Sequence, residues 1–133
     1  MKVVIAPQSF KGGLSGLEAA KAIHEGVLEA FPDAEGVQVP VADGGDGTLD
    51  ALVRNTGGEL INSRVTGPLG APVSALWGVM VDGRTAVIEM ARASGLALVP
   101  PRQRNPRITT SYGTGEIIAE ALDSGYRRII VGL

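Results

Sequence analysis

At 133 residues the chain has room for one domain with a real core, and a net charge of −2 gives it no basic field for a nucleic acid. Apolar residues at 44% and charged residues at 20% exclude a disordered chain, while aromatics at 4% leave little for base stacking. With no cysteine, a disulfide framework, a thiolate nucleophile and a zinc–thiolate centre are all excluded.

In chain order, Lys2–Ala6 (KVVIA) is a short β-branched run ended by Pro7 and reads as a buried parallel strand. Ser15 with Glu18 forms a capping box, and Leu17, Ala20, Ile23, Val27, Leu28 and Phe31 recur at helical spacing, predicting a helix to about Pro32. Val37–Val41 supplies a second strand. A second helix opens near Gly47, turns Leu49, Leu52 and Val53 inward and ends at Gly57-Gly58. This βαβα rhythm belongs to a parallel sheet with helical cover.

The pattern then changes. Leu60–Thr66, Val73–Val81 and Thr85–Met90 are strand-like, with turns at Gly67-Pro68 and Asp82-Gly83, the latter a strong hairpin signal. A long irregular loop is expected over Ala91–Ser111. A helix follows over Gly113–Ser124, with Ile117, Ile118, Ala121 and Leu122 on one face, then a strand over Arg127–Val131. The expected fold is α/β: a Rossmann-like parallel sheet with flanking helices, plus an antiparallel or mixed β insertion as a second subdomain. Residues 1–58 form the first Rossmann-like part, 59–96 the β-rich insertion, and 97–133 the loop, helix and strand that return to the α/β part. A strand ending in Gly132 normally leads into a functional turn, so the sheet is expected to be incomplete at the carboxyl end. No apolar run approaches the length of a membrane span, and no leader pattern precedes the first strand, so a cytoplasmic protein is expected.

Three glycine-rich, polar stretches fall where a strand hands over to a helix: Ala6–Gly13, Ala42–Thr48 and Thr109–Glu116. Glycines let the backbone approach a ligand, and helix N-terminal N–H groups favour anions. In the first, Lys11 beside Gly12 and Gly13 can meet a phosphate as a point charge, with Ser9 adding a hydroxyl; the bland alternative is a tight turn with a solvated lysine. In the second, Asp43 and Asp46 flank Gly44 and Gly45. Close carboxylates suit Mg²⁺, which takes one or two of them and leaves phosphate oxygens and water to fill its shell; the alternative is that one aspartate caps the helix. In the third, Thr110, Gly113, Thr114 and Gly115 can hold an anionic group, or Glu116 simply complements the helix dipole. Arg92 near Glu89 is either a substrate contact or one half of a local ion pair. Arg102, Arg104 and Arg107 are either solvated or anion-contacting. His24, the only histidine, reads as structural and leaves no histidine-based triad. No Gly-x-Gly-x-x-Gly follows the first strand, which argues against a generic dinucleotide-binding module.

Together these motifs resemble the bacterial type I glycerate kinase family. The family patterns A-P-D-S-F-K-G-S-L, V-P-V-A-D-G-G-E-G-T, V-T-G-P-L-G, A-V-I-E-M-A-x-A-S-G-L, R-N-P and T-T-x-Y-G-T-G-E match Ala6–Leu14, Val39–Thr48, Val65–Gly70, Ala86–Leu96, Arg104–Pro106 and Thr109–Glu116, in order. The resemblance implies an ATP- and Mg²⁺-dependent kinase acting on D-glycerate, with 2-phosphoglycerate the favoured product, and a cleft between two α/β parts. It implies catalytic roles for Lys11, Asp43 and Asp46, with metal held by Asp43 and Asp46. Substrate or phosphate contacts would fall to Ser9, Gly12, Gly44, Gly45, Arg92, Thr110, Gly113, Thr114 and Gly115.

Three positions depart from the pattern: Gln8 stands for aspartate, Gly13 for serine and Asp46 for glutamate. An amide can neither act as a general base nor match a carboxylate as a Mg²⁺ ligand. The family's G-G-S-A-T-N-D-G-G turn after the last strand is not in the sequence, so the chain reads as an amino-terminal segment. The partners expected are the small-molecule substrate and a second copy or a complementing carboxyl-terminal chain, with neither nucleic acid nor membrane. The alternative function is a catalytically inactive remnant that binds a ligand or a complementing chain.

Overall fold

The structure, a computed structural model, describes residues 1–10 and 13–133. The expectations placed on Lys11 and Gly12 therefore lie outside the described residues.

Strand β1 (Lys2–Ile5) pairs in parallel with β2 (Glu35–Gln38), in the register Lys2↔Glu35 to Ile5↔Gln38. Helix α1 (Gly16–Ala30) makes the crossover. The capping box forms as expected: Ser15 Oγ accepts from the Glu18 N–H at 3.2 Å, and the Glu18 carboxylate accepts from the Ser15 N–H at 2.8 Å. Strand β2 starts two residues before the position that its apolar run suggests. Glu35 and Gly36 are weak strand formers, and pairing with Lys2 and Val3, aided by a Lys2–Glu35 ion pair at 3.2 Å, recruits them. On α1 the apolar stripe is only partly covered: Ala19 and Ala20 are buried, whereas Leu17, Ile23 and Phe31 are exposed. His24 lies over β2 and shares a 3.0 Å hydrogen bond with the Gln38 amide, a structural role.

A second, four-stranded sheet has the order β3–β4–β5–β6, built from Glu59–Thr66, Pro72–Val79, Thr85–Glu89 and Arg128–Gly132. The first two junctions are antiparallel and the last is parallel, so this sheet is mixed. The β3–β4 ladder runs from Glu59↔Val79 to Thr66↔Pro72 around the Gly67-Pro68 turn. Strand β6 lies against β5, with Thr85↔Arg128 at one end and Glu89↔Gly132 at the other. Every residue of β5 is buried, as a strand covered on both faces must be.

Helices α2 (Thr48–Leu52), α3 (Met90–Ser94) and α4 (Tyr112–Asp123) supply that cover. One face carries Val65, Ala75, Trp77, Ala86 and Ile88 against Ala93, Ile117 and Ala121. The other packs Val87, Leu60 and Leu76 against Leu49, Leu52 and Val53. The fold is thus α/β with one parallel and one mixed sheet. Helix α3 occupies residues that sequence reading assigned to a strand end and a loop. It carries no side-chain cap, and the loop after it holds only single 3₁₀ turns at Leu96–Leu98 and Pro101–Gln103. Among the described residues no helix is long and apolar enough to cross a membrane.

The Asp82-Gly83 hairpin forms where expected, and its aspartate holds it. Asp82 accepts from the N–H groups of Arg84 and Thr85, both at 2.9 Å, and from the Thr85 hydroxyl at 2.7 Å. The Arg84 N–H above all, then the Thr85 hydroxyl and N–H, hold the Asp82 carboxyl below its ordinary range; Arg128 adds little. A depressed folded-state value contributes stability that is full above the unfolded value of about 4 and disappears as pH falls through the lower folded value. Asp82→Asn, whose amide oxygen can still accept both N–H bonds, should therefore flatten part of the stability loss below about pH 4. Urea unfolding at pH 3 and pH 6 checks this; identical pH dependence in both proteins would refute it.

Candidate functional site

A cleft of about 490 Å³ opens where the loop after β1, the loop before α2 and the end of β5 converge. Loop closure follows from local backbone bonds. Phe10 donates to the Leu14 carbonyl and Gly13 to the Phe10 carbonyl, both at 2.8 Å, while Val41 donates to the Pro7 carbonyl at 3.1 Å. The Ser9 hydroxyl then donates to the Asp46 carbonyl at 3.0 Å and ties the first glycine-rich stretch to the second.

The second stretch depends on two glycines in the left-handed region, Gly44 at φ 110° and Gly47 at φ 97°. Asp43 Oδ1 accepts from the Gly45 N–H at 3.3 Å, and the Thr48 hydroxyl donates to the Gly45 carbonyl at 2.8 Å. Neither aspartate caps α2. Its cap residue is Gly47, and the carboxylate of Glu89 accepts the Leu49 N–H at 2.9 Å from the end of β5. The carboxyl end of β6 closes the other side of this loop. A side chain at Gly44 would meet the Leu133 backbone at 3.2–3.3 Å, and one at Gly132 would collide with the Gly44 carbonyl.

The cleft floor is a chain of alternating charges. Glu89, only 1% exposed, accepts from Arg92 Nε at 3.1 Å; Arg92 Nη2 reaches Asp50 at 3.0 Å; and Arg54 Nε meets the same carboxylate at 3.2 Å. The expected Glu89–Arg92 pair is thus present, and Arg92 also faces the cleft. Sequence reading misses Asp50 and Arg54, although their i,i+4 spacing, which here runs from α2 into the 3₁₀ turn Arg54–Thr56, is a usable signal.

The third stretch lies elsewhere. Thr110 donates its N–H to the Pro68 carbonyl at 3.0 Å and accepts from the Tyr112 N–H at 3.0 Å. Buried Thr114 shares a 2.8 Å bond with the Ser94 hydroxyl, and Gly113 packs directly on the Thr66 carbonyl. Glu116 reaches across to accept the Thr66 N–H at 2.6 Å, a tertiary contact in addition to any dipole effect. Of the expected residues that are described, Ser9, Asp46 and Arg92 line the cleft, whereas Asp43, Gly44, Gly45, Thr110, Gly113, Thr114 and Gly115 do not. Among the described residues no group of three or more His, Cys, Asp and Glu stands close enough to hold a metal ion alone. Asp43 and Asp46 are both exposed, and hard carboxylate oxygens of this kind suit Mg²⁺ completed by phosphate and water.

This arrangement has relatives. The glycerate kinase of Bacillus subtilis (strain 168) is 59% identical over 133 residues, which are all of this chain and 35% of that protein. The glycerate 2-kinase of Escherichia coli (strain K12) is 56% identical with the same coverage. A crystal structure assigned to glycerate kinase 2 of Salmonella typhimurium LT2 superposes with a TM-score of 0.75 at 55% identity, covering 99% of this chain and 36% of that one. The chain therefore spans about a third of the length of the curated relatives it matches. A model of the glycerate kinase family matches residues 3–133, and the chain belongs to that family.

Proposed function

We propose that the chain forms part of a glycerate kinase site, in a cytoplasmic enzyme that moves the γ-phosphoryl group of Mg-ATP to D-glycerate and yields 2-phosphoglycerate and ADP. The observation that carries this reading is the Ser9–Asp46 bond, which puts two glycine-rich loops on one cleft above the Arg92–Asp50 pair. Phosphoryl transfer asks a protein mainly for positioning and charge neutralisation. Asp46, with Asp43 behind it, would hold Mg²⁺, which when bound neutralises charge on phosphate oxygens. Ser9 fixes the spacing of the loops, and Lys11 is assigned to phosphate. Arg92 uses Nε and Nη2 on protein carboxylates, and its remaining N–H groups can serve an anionic substrate group. In the third stretch, exposed Thr110 and Gly115 are better placed for an anion than buried Thr114 and Gly113.

Gln8 bears directly on rate, since an amide cannot accept a proton from a substrate hydroxyl. Glycerate-dependent ADP release from Mg-ATP should rise by about 100-fold or more in Gln8→Asp, the range of a general base. A folded Gln8→Asp protein that releases no ADP in response to glycerate would overturn an active site on this chain alone. A second reading is an inactive form that binds ligand or a complementing chain. It is favoured by Gln8 and by the exposed Ile130 and Val131 of β6, and it predicts self-association or nucleotide binding without turnover.

A further inference from the structure

We propose that Glu89 is a positioning residue for the Ala42–Gly47 loop, acting through the start of α2 and through Arg92. The assignment depends on the proposed kinase site only for what that loop is used for.

Helix α2 has five residues and follows a glycine at φ 97°, with no side-chain cap of its own. So short a helix does not hold itself, because nucleation is unfavourable and its first N–H groups need acceptors. Glu89 provides one from forty residues away, with Oε2 on the Leu49 N–H. Its other oxygen takes Arg92 Nε, so both carboxylate oxygens are engaged within the protein, which argues against Glu89 as a metal ligand. An unpaired carboxylate this deeply buried would be strongly disfavoured, and Arg92 compensates it. Arg92 then returns to α2 through Asp50, so the helix is held at two points, Leu49 and Asp50. From α2 the constraint passes to the loop through the Thr48 hydroxyl on the Gly45 carbonyl, while the Ser9 hydroxyl holds the Asp46 carbonyl independently from the loop after β1. The helix end of the aspartate loop is therefore anchored by a buried glutamate at the end of another strand.

The test uses the 133-residue protein labelled with ¹⁵N and needs neither nucleotide nor glycerate, so its failure is separable from failure of the kinase reading. In Glu89→Gln the Arg92 Nε–H and the Leu49, Thr48 and Gly45 amides should exchange about tenfold faster, while Val65 and Trp77 amides keep their protection. Loop amides unchanged in a folded Glu89→Gln protein whose Arg92 Nε–H has lost protection would overturn the proposal. If Glu89→Gln does not fold, Asp50→Asn breaks the outer link at a half-exposed site. Faster exchange at Gly45 and Thr48 then supports the assignment, and unchanged exchange overturns it.

Discussion

Trp77→Ala is expected to lower stability by about 3–5 kcal/mol, enough to leave much of a marginally stable domain unfolded at room temperature. Trp77 is 1% exposed on β4 and is the largest of the fully buried side chains. It packs in the cluster formed with Val65, Ala75, Ile88, Ile117 and Ala121, so its loss opens the core on that face of the sheet. Its ring meets Tyr126 edge-on, with centroids 6.0 Å apart and planes at 82°, a geometry that adds to simple burial. The indole N–H also donates to the Ser63 hydroxyl at 3.0 Å, which donates in turn to the Glu120 carboxylate at 2.8 Å. Alanine leaves a cavity and an unfilled acceptor at Ser63. Trp77→Phe keeps most of the volume and loses the hydrogen bond, so it should fall nearer 1–3 kcal/mol. Urea unfolding followed by far-UV circular dichroism suits this comparison, because Trp77 is the only tryptophan and its fluorescence disappears in the variants. Equal midpoints for the wild-type protein and Trp77→Ala would mean that this cluster is not what holds the sheet.

Much of this architecture is legible in local pattern. Asp82-Gly83 between apolar runs announces the β4–β5 hairpin, and Ser15 with Glu18 announces the start of α1, because both signals are read by atoms within four residues. The site is legible only in part, for the opposite reason. Ser9 and Asp46 are 37 residues apart, and Leu49 and Glu89 are 40 apart, so only the fold reveals that they bond. The aspartate motif suggests a helix cap, yet a distant glutamate fills that place, since Gly47 turns the chain before either aspartate can reach the first turn. Helix α3 is invisible for a related reason: a five-residue segment carries too little periodicity to separate from a strand end. The third glycine-rich stretch shows how a motif can mix two roles, one set by packing and the other open to solvent.

Two glycines of that stretch should respond in opposite directions to the same substitution. Gly113 begins α4 against β3, and an added Cβ would collide with the Thr66 carbonyl and come within 3.0 Å of its carbon. Backbone cannot swing aside as a flexible side chain can. Moving α4 away would also disturb the Glu116 bond to the Thr66 N–H and the Thr114 bond to Ser94. Gly113→Ala should therefore destabilise by about 3 kcal/mol, the upper part of the overpacking range. Gly115, two residues on in the same helix, has nothing within 4 Å of its added Cβ and lacks a positive φ. Glycine in a helix is entropically unfavourable, so Gly115→Ala should stabilise by about 0.5–1 kcal/mol. Thermal unfolding of the two variants separates these signs directly. The stabilised Gly115→Ala protein also isolates function from folding, because any loss of anion or glycerate binding in it cannot come from a damaged core. Unchanged binding there would remove Gly115 from the proposed site and leave Thr110 as its exposed candidate in this stretch.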